Sequence, residues 1–384
     1  MPQNPLHDVA VVGAYHTRQA RVLEGVREID LVFDAVRGAL ASAGLTEDQV
    51  DGLNVRGTRT RLHSREAAHL FGGRPRWTGD GIGIQGVLEA AGAIATGQCH
   101  TVLLADAQAG EYTDRGATSP WTRPTSEFVE CFGLYTAAEF ALCAKRHMHL
   151  YGTRPESLAE VAATIRNHGA QHPEAVHFGR RVTPQDVLAS RLVAEPFHLL
   201  DCAINSEGGV GLVLTSAERA RDLDVTPVFL LGGAVERMGM AYVAAPVWDQ
   251  CGHVGRWAAE QAFAQCGLSP ADVDVCEFYD PFSFELIRQF EVYGFCGEGE
   301  GGDFVMGGRI EIGGACPLVT CGGLMSFSHA GTAQLLQKVV HSVHQLQGRV
   351  PDALKVPGAS VAMTSNGGSG ALFTDVLLLG LDRA

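Results

Sequence analysis

The chain contains no apolar run approaching the ~20 residues of a membrane-spanning helix, and its N-terminus, MPQNPLHDVAVVGAY, lacks the basic n-region of a secretory signal. Neither a membrane segment nor a leader is expected. Basic residues are in deficit: 29 Lys and Arg against 43 Asp and Glu give a formal net charge of −14, which argues against nucleic acid as a partner. The ten cysteines include no CxxC pair and no zinc-ligand spacing. No metal site and no disulfide framework are expected, and a reducing cytoplasm is the simplest setting. Nucleotide loops are absent as well. The SNGGSG run at Ser365–Gly370 has the spacing of neither GxGxxG nor GxxxxGK[ST], and it reads instead as a close-approach turn lining a pocket through Asn366, Gly367 and Gly368.

What is present is glycine (47 residues) and apolar side chains (46%) in a chain of 384 residues, enough for a large core in an α/β protein. Val9–Gly13 and Thr101–Ala105 read as buried strands, and Leu31–Gly44 and Gly86–Gly97 as helices. A near-copy follows: ALASAGLTEDQVD at Ala39–Asp51 recurs as AFAQCGLSPADVD at Ala262–Asp274, with identities at Ala39/Ala262, Gly44/Gly267, Leu45/Leu268 and Asp51/Asp274 among others. A helix–turn–strand unit repeated once implies an internally duplicated α/β fold, with halves near 1–221 and 222–384.

Between the strands of the first half lies an excursion over residues 106–200. Asp106–Pro124 reads as loop, Tyr135–Leu150 and Ser157–His168 as helices, and the whole as a lid or loop domain of the kind that carries specificity. His147 and His149 form an HxH there. On a helix they do not share a face, so packing or solvated histidines are expected rather than metal ligands.

The stretch Cys276–Phe304, CEFYDPFSFELIRQFEVYGFCGEGEGGDF, organises the remainder. It turns at Tyr279-Asp280-Pro281-Phe282, enters an amphipathic helix over Ser283–Tyr293 and ends in an acidic, glycine-rich turn. A phenol and a carboxylate therefore sit where a strand hands over to a helix. Alone, a strand-end tyrosine is more often a half-buried packing residue than an acid or base.

This order of features resembles the HDCF segment of sterol-carrier-protein-type thiolases. YGTRPESLAEVA at Tyr151–Ala162, the separated Ser190, Arg191, Pro196, Leu199, Asp201 and Cys202, and GGLMSFSHAGTAQLLQKV at Gly322–Val339 also look like the lipid-transfer-protein branch of that superfamily. The resemblance implies a thiolase fold: two α/β halves in a five-layered αβαβα sandwich with a loop-domain insertion, normally dimeric.

Thiolases place a nucleophilic cysteine at a helix N-terminus, where the dipole favours the thiolate. Counting back from Ala93–Gly97 along DGIGIQGVLEAAGAIATG puts Asp80 at that position. Asp80 is a turn residue, or a pocket base if its surroundings are apolar. In the HDCF segment Pro281 stands at the second cysteine, Tyr279 at the histidine and Asp280 at the aspartate, the last an orienting residue. The GHP histidine, which helps hold a thioester oxygen, aligns with His329, flanked here by Ser328 and Ala330; Gly322 and Gly323 belong to the same pocket wall. Cys276 and Cys321 lie near these segments but at no nucleophile position.

A pocket that keeps thioester-oxygen donors and loses both cysteines can stabilise an enolate without forming an acyl-enzyme. That is the requirement for retro-aldol cleavage of a 3-hydroxyacyl-CoA, and the resemblance extends to cysteine-less aldolases of steroid side-chain degradation. Tyr279 or His329 would act as base and acid, the other polarising the thioester, with no cofactor beyond the CoA of the substrate. An acyltransferase using an unaligned thiol and a silent acyl-CoA-binding scaffold remain as alternatives. The family further implies a homodimer joined by a small partner with a zinc ribbon and an OB-fold, forming a heterotetramer. Arg115, Arg123, Lys145, Arg146, Arg154, Arg166, Arg180 and Arg181 are candidates for a basic patch toward the CoA phosphates.

Overall fold

In the computed structural model, which describes residues 4–60, 62–110, 136–239, 247–368 and 372–382, the repeat unfolds into two α/β halves with matching strand pairings. The N-terminal half runs β1 (Val9–His16), α1 (Glu28–Ala43), β2 (Gly52–Gly57), α2 (Ser64–Leu70), β3 (Trp77–Thr78), α3 (Gly83–Ala95) and β4 (Thr101–Gln108). The excursion carries α4 (Thr136–Tyr151), α5 (Pro155–Gly169), α6 (Pro184–Ala189) and an antiparallel pair, β5 (Leu192–Ala194) and β6 (Phe197–His198), before β7 (Gly208–Ser216) and α7 (Ala217–Ala220) close the half. The C-terminal half runs β8 (Val228–Arg237), α8 (Trp248–Cys251), α9 (Arg256–Cys266), β9 (Val275–Glu277), α10 (Ser283–Val292), α11 (Gly301–Phe304), α12 (Ala333–Leu346), β10 (Val361–Gly368) and β11 (Phe373–Gly380).

The strands form one nine-stranded sheet in the order β3-β2-β4-β7-β1-β8-β11-β10-β9. In the first half β1 and β4 flank β7 antiparallel while β2 runs parallel to β4. In the second, β8 and β10 flank β11 antiparallel while β9 runs parallel to β10. The short β3 beside β2 is echoed by a parallel bridge between Leu318 and Cys276. The halves join edge to edge at Ala10↔Phe229 and Val11↔Val228, making the expected pair of sheets continuous. The sequence repeat behaves alike in both copies: α1 and α9 stop at left-handed Gly44 (φ 64°) and Gly267 (φ 70°), and a capping box follows each at Thr46–Gln49 and Ser269–Asp272.

Alternation along the strands assigns the layers. Val11, Leu212, Leu230 and Leu377 face an inner core shared with Ile84, Val87 and Ala91 of α3 and Leu336, Val340 and Val343 of α12. Their neighbours Val12 and Val213 turn outward onto Val32, Val36 and Leu40 of α1. In the other half Leu231 and Leu378 turn outward onto Ala258, Ala259 and Ala262 of α9. The layers therefore run α1, half-sheet, α3 with α12, half-sheet, α9.

Several local expectations change. Asp106–Gln108 continue β4 rather than starting a loop, because each pairs in register with Gly208–Val210 of β7. Ser365–Gly368 lie inside β10, paired through Gly368↔Phe373, so the SNGG part of the glycine run is strand rather than turn; Ser369 and Gly370 fall outside the described residues. His147 is buried between Glu291 (3.0 Å) and Thr153 (2.9 Å), whereas His149 is exposed. Arg166 is not a patch residue: it is buried and donates to the carbonyls of Leu200 (2.8 Å) and Cys202 (2.9 Å). Lys145 and Arg154 pair with Glu195 and Asp303, Arg180 and Arg181 are exposed, and Arg115 and Arg123 lie outside the described residues.

Candidate active site

β9 delivers the chain to Tyr279 and α10 leads it away, and both sides fix the backbone between them. The Tyr279 N–H donates to Ser365 Oγ (2.9 Å) and its carbonyl accepts from Gln289 Nε2 (2.6 Å). Its ring lies over Gly367, where a Cβ would come within 3.0 Å of the ring edge. Gly367 thus serves as the close-approach position for Tyr279, while a Cβ on Gly368 would meet the ring of Phe373.

Asp280 is fully buried and accepts from the N–H groups of Leu324 (2.9 Å) and Met325 (3.2 Å) and from the Lys338 ammonium. Burial raises its pKa, and Lys338 with the two N–H groups pulls it back. These donors open a single π turn, Gly323–Phe327, a local distortion frequent at functional sites. Gly323 (φ 47°) is required there: a Cβ would lie 2.5 Å from the Asp280 carboxylate and 2.3 Å from Val319. Gly322 (φ 94°) lets the turn press on the backbone of Gly169, which a Cβ would meet at 2.3 Å. Just upstream Val319 holds φ 47°, a conformation β-branched residues rarely adopt.

Downstream of the π turn, His329 Nδ1 lies 3.0 Å from the Ile204 carbonyl and the His329 N–H donates to Ser206 Oγ (2.6 Å). A carbonyl only accepts, so Nδ1 carries the proton and Nε2 presents a lone pair. Burial lowers the imidazole pKa to about 4, with Lys338 adding to the effect, so the ring is neutral at pH 7. The segment 203–206 stitches the two parts together: Ala203 N–H donates to Pro281 O (2.8 Å) and Ile204 N–H to Leu324 O (2.9 Å). Tyr279-Asp280-Pro281 and the turn bearing His329 are thereby one hydrogen-bonded unit.

Two expected site residues stand elsewhere. Asp80 is exposed, on the turn before α3, and lines a polar cavity of ≈ 590 Å³ with Arg56, His63 and Ser64. It faces solvent among charged and polar side chains rather than an apolar pocket. Asn366 has no free side-chain atom: Oδ1 accepts from Ile84 N–H (2.8 Å), satisfying the α3 N-terminus, and Nδ2 donates to Leu335 O (2.9 Å) and Ser365 O (3.0 Å). It positions α3 against α12. Sequence reasoning missed Lys338, whose signal was a lone lysine in the apolar run AQLLQKVV, and Ser206, Ile204 and Gln289, which gave none.

Among the described residues, the thiols nearest this unit are not poised as thiolates. Burial raises Cys202 to about 12 and Cys321 well above the ordinary thiol value, keeping the cysteines nearest this unit protonated. Among the described residues no helix is long and apolar enough to cross a membrane.

A duplicated α/β sandwich with Tyr279, Asp280 and His329 joined in one hydrogen-bonded unit, and with Asp80 and Pro281 where the resemblance places cysteines, defines a thiolase-like protein. Residues 249–380 match the family described as thiolase C-terminal domain-like. The chain is 34% identical over 391 residues to a steroid side-chain-cleaving aldolase of Thermomonospora curvata, covering 94% of each chain. It is 35% identical over 346 residues to the 17-hydroxy-3-oxo-4-pregnene-20-carboxyl-CoA lyase of Mycobacterium tuberculosis, covering 84% of this chain and 88% of the relative. Among solved structures, the Ltp2-ChsH2(DUF35) aldolase superposes with a TM-score of 0.84 and 31% identity over 98% of both chains. The chain belongs to the thiolase superfamily, in its family of steroid side-chain-cleaving aldolases.

Proposed function

We infer that the protein is a carbon–carbon lyase, a retro-aldolase that cleaves a steroid 3-hydroxyacyl-CoA thioester to a ketone and a short acyl-CoA. The observation that carries the chemistry is the His329 tautomer. With Nδ1–H donating to Ile204, Nε2 can take a proton and cannot donate one to a thioester oxygen. His329 is therefore the base for the substrate hydroxyl, and the Tyr279 phenol is the donor that polarises the thioester carbonyl. The two roles left open by sequence become distinct. Asp280 acts through position, holding the π turn from which His329 follows.

The reaction so drawn needs no cofactor beyond substrate CoA, and the nine described cysteines, none in a disulfide, suit a cytoplasmic setting. The two-component name of the solved relative supports a partner subunit here; we place the chain as a homodimer that binds two small zinc-ribbon/OB-fold subunits.

The test is cleavage of a 3-hydroxyacyl steroid-CoA with both products quantified. Tyr279→Phe and His329→Ala should each lower turnover on the order of 100-fold with native circular dichroism. Incubation with acetyl-CoA should leave the protein mass unchanged. A stable acyl adduct on any cysteine, or near-normal turnover in both variants, overturns the reading.

A further inference from the structure

At the C-terminal end of β4 the inner face of the strand changes from apolar to polar: Leu104 packs in the inner core, and Asp106 and Gln108 follow it at the next two inward positions. Both contact the turn that carries His329. Asp106 accepts from Thr332 Oγ1 (2.7 Å) and Thr58 Oγ1 (3.4 Å), while Gln108 Nε2 donates to the carbonyl of Ser206, whose Oγ holds the His329 N–H. Gly331 (φ 47°) has no room for a Cβ, which would lie 2.3 Å from Gln108 and 2.9 Å from Thr58. On its other side Asp106 lines a small cleft with Gly81, Ile82 and Gly83 at the start of α3.

The charge around Asp106 is incompletely balanced. It is buried, and the nearest cation, Arg56 Nε, stands 3.7 Å away without a hydrogen-bond partner of its own. Its remaining donors are two hydroxyls. Nothing here resembles the ammonium and paired N–H groups that surround Asp280, so Asp106 is equipped to hold a proton rather than a charge.

We propose that Asp106 is a second catalytic residue of this site, the acid that delivers a proton to Cα of the thioester enolate as the carbon–carbon bond breaks. The proposal rests on the retro-aldolase reading and completes its proton balance. His329 Nε2 takes the hydroxyl proton, and the O–H electron pair becomes the second bond of the ketone carbonyl. The Cα–Cβ pair passes into the enolate, which Tyr279 stabilises. Asp106 gives its proton to Cα, and the His329 imidazolium returns one to the Asp106 carboxylate, so none is gained or lost.

The protonation states agree with this division. Burial raises Asp106 to about 7, opposed by Arg56 and the two threonines and reinforced by the Glu28 carboxylate, while burial lowers His329 to about 4. The usual order of aspartate and histidine is inverted, giving a protonated acid beside a free base in the same pH range, the separation that acid–base assignment requires.

The experiment uses the chain co-expressed with its partner subunit. Cleavage is assayed from pH 5 to 9, and exchange of Cα protons in the product acyl-CoA is followed in D2O. By microscopic reversibility the acid that protonates Cα is the base that removes its proton, so exchange reports Asp106. Asp106→Asn should lower kcat on the order of 100-fold, abolish exchange, and remove the fall in activity above about pH 7. His329→Ala should lose cleavage and keep exchange. Thr332→Val, which removes a donor to the ionised carboxylate, should move the high-pH limb upward, an outcome that decides the matter even if Asp106→Asn fails to fold. A wild type that cleaves, with an Asp106→Asn variant that cleaves or exchanges at wild-type rate, or a Thr332→Val limb that does not move, overturns the proposal alone. A wild type that releases no ketone overturns the retro-aldolase reading and the proposal with it.

Discussion

A carboxylate removed from water must be neutralised by a partner or keep its proton, and Asp280 and Asp106 take opposite courses. Asp280 has Lys338 and the N–H groups of Leu324 and Met325. Lys338→Met should therefore destabilise the protein by about 3–5 kcal/mol, the cost of stranding a buried charge, measured as a shift in urea midpoint at pH 7. Asp106 has two hydroxyls and the more distant Arg56 guanidinium instead, and burial raises its pKa from 3.8 to about 7. A folded value above the unfolded one means stability is greatest at low pH and is lost as pH rises from about 3.8 to 7. Asparagine mimics the protonated form. Asp106→Asn should thus be more stable than wild type at pH 8, by up to roughly 4 kcal/mol, and equal to it near pH 4. Thermal melts at the two pH values check this; equal stabilities at pH 8 would show that Asp106 is ionised without penalty. A variant that gains stability while losing turnover is what a strained functional group produces.

The π turn Gly323–Phe327 is the element on which the site depends, and it rests on a cluster of histidines. Around Phe327 stand His16, His172 and His341, with ring centroids 5.0, 4.9 and 4.6 Å from it, and His344 lies 5.4 Å from His16. Their other charged neighbours are Glu174, 3.4 Å from His16, and the more distant Arg349 and Lys338. Burial lowers His16 and His172 to about 4, His344 to about 3, and His341 well below its ordinary value. The folded values lie below the unfolded 6.5, so the stability they contribute is present above pH 6.5 and is lost as pH falls toward 4. At pH 5 His16 and His344 each cost on the order of 2 kcal/mol, together a large part of the stability of a typical domain, and His341 acts in the same direction. Acid unfolding should therefore be cooperative with a midpoint near pH 5, followed by near-ultraviolet circular dichroism, and His341→Phe should move the midpoint downward. None of this was visible in sequence, because His16, His172 and the α12 pair come together only through long-range packing. The π turn itself was equally silent. Its glycines were legible as pocket residues, but their reason, contact with Asp280 and Gly169, is tertiary.

At the scale of the molecule, the fold was more legible than the candidate site, since a duplicated helix–turn–strand leaves identical residues at fixed spacing whereas a unit assembled from residues 204, 279, 280 and 329 leaves no local period. Tyr279, Asp280 and His329 were singled out through motif position, and the structure joins them in one hydrogen-bonded unit. Asp80 was misplaced because a helix start fixes a residue number but not the direction of its side chain. Charge distribution bears on the last question, how an acidic chain engages a CoA ester. The expected basic patch is reduced: Arg166 is internal, Lys145 and Arg154 are paired with carboxylates, and among the described candidates Arg146, Arg180 and Arg181 are exposed without an ion pair. Exposed salt-bridged residues contribute little free positive potential, and the formal charge of −14 opposes a polyphosphate ligand at long range. A partner subunit supplying basic surface would resolve the mismatch. Co-expression with a zinc-ribbon/OB-fold subunit should give a heterotetramer of two chains of each kind by size-exclusion chromatography with light scattering. KM for the CoA thioester should then fall at least about 10-fold relative to the isolated homodimer, and the advantage should shrink as ionic strength rises and screening shortens the reach of the basic surface. An isolated homodimer with full activity and a KM unchanged by the partner would remove the need for any second subunit.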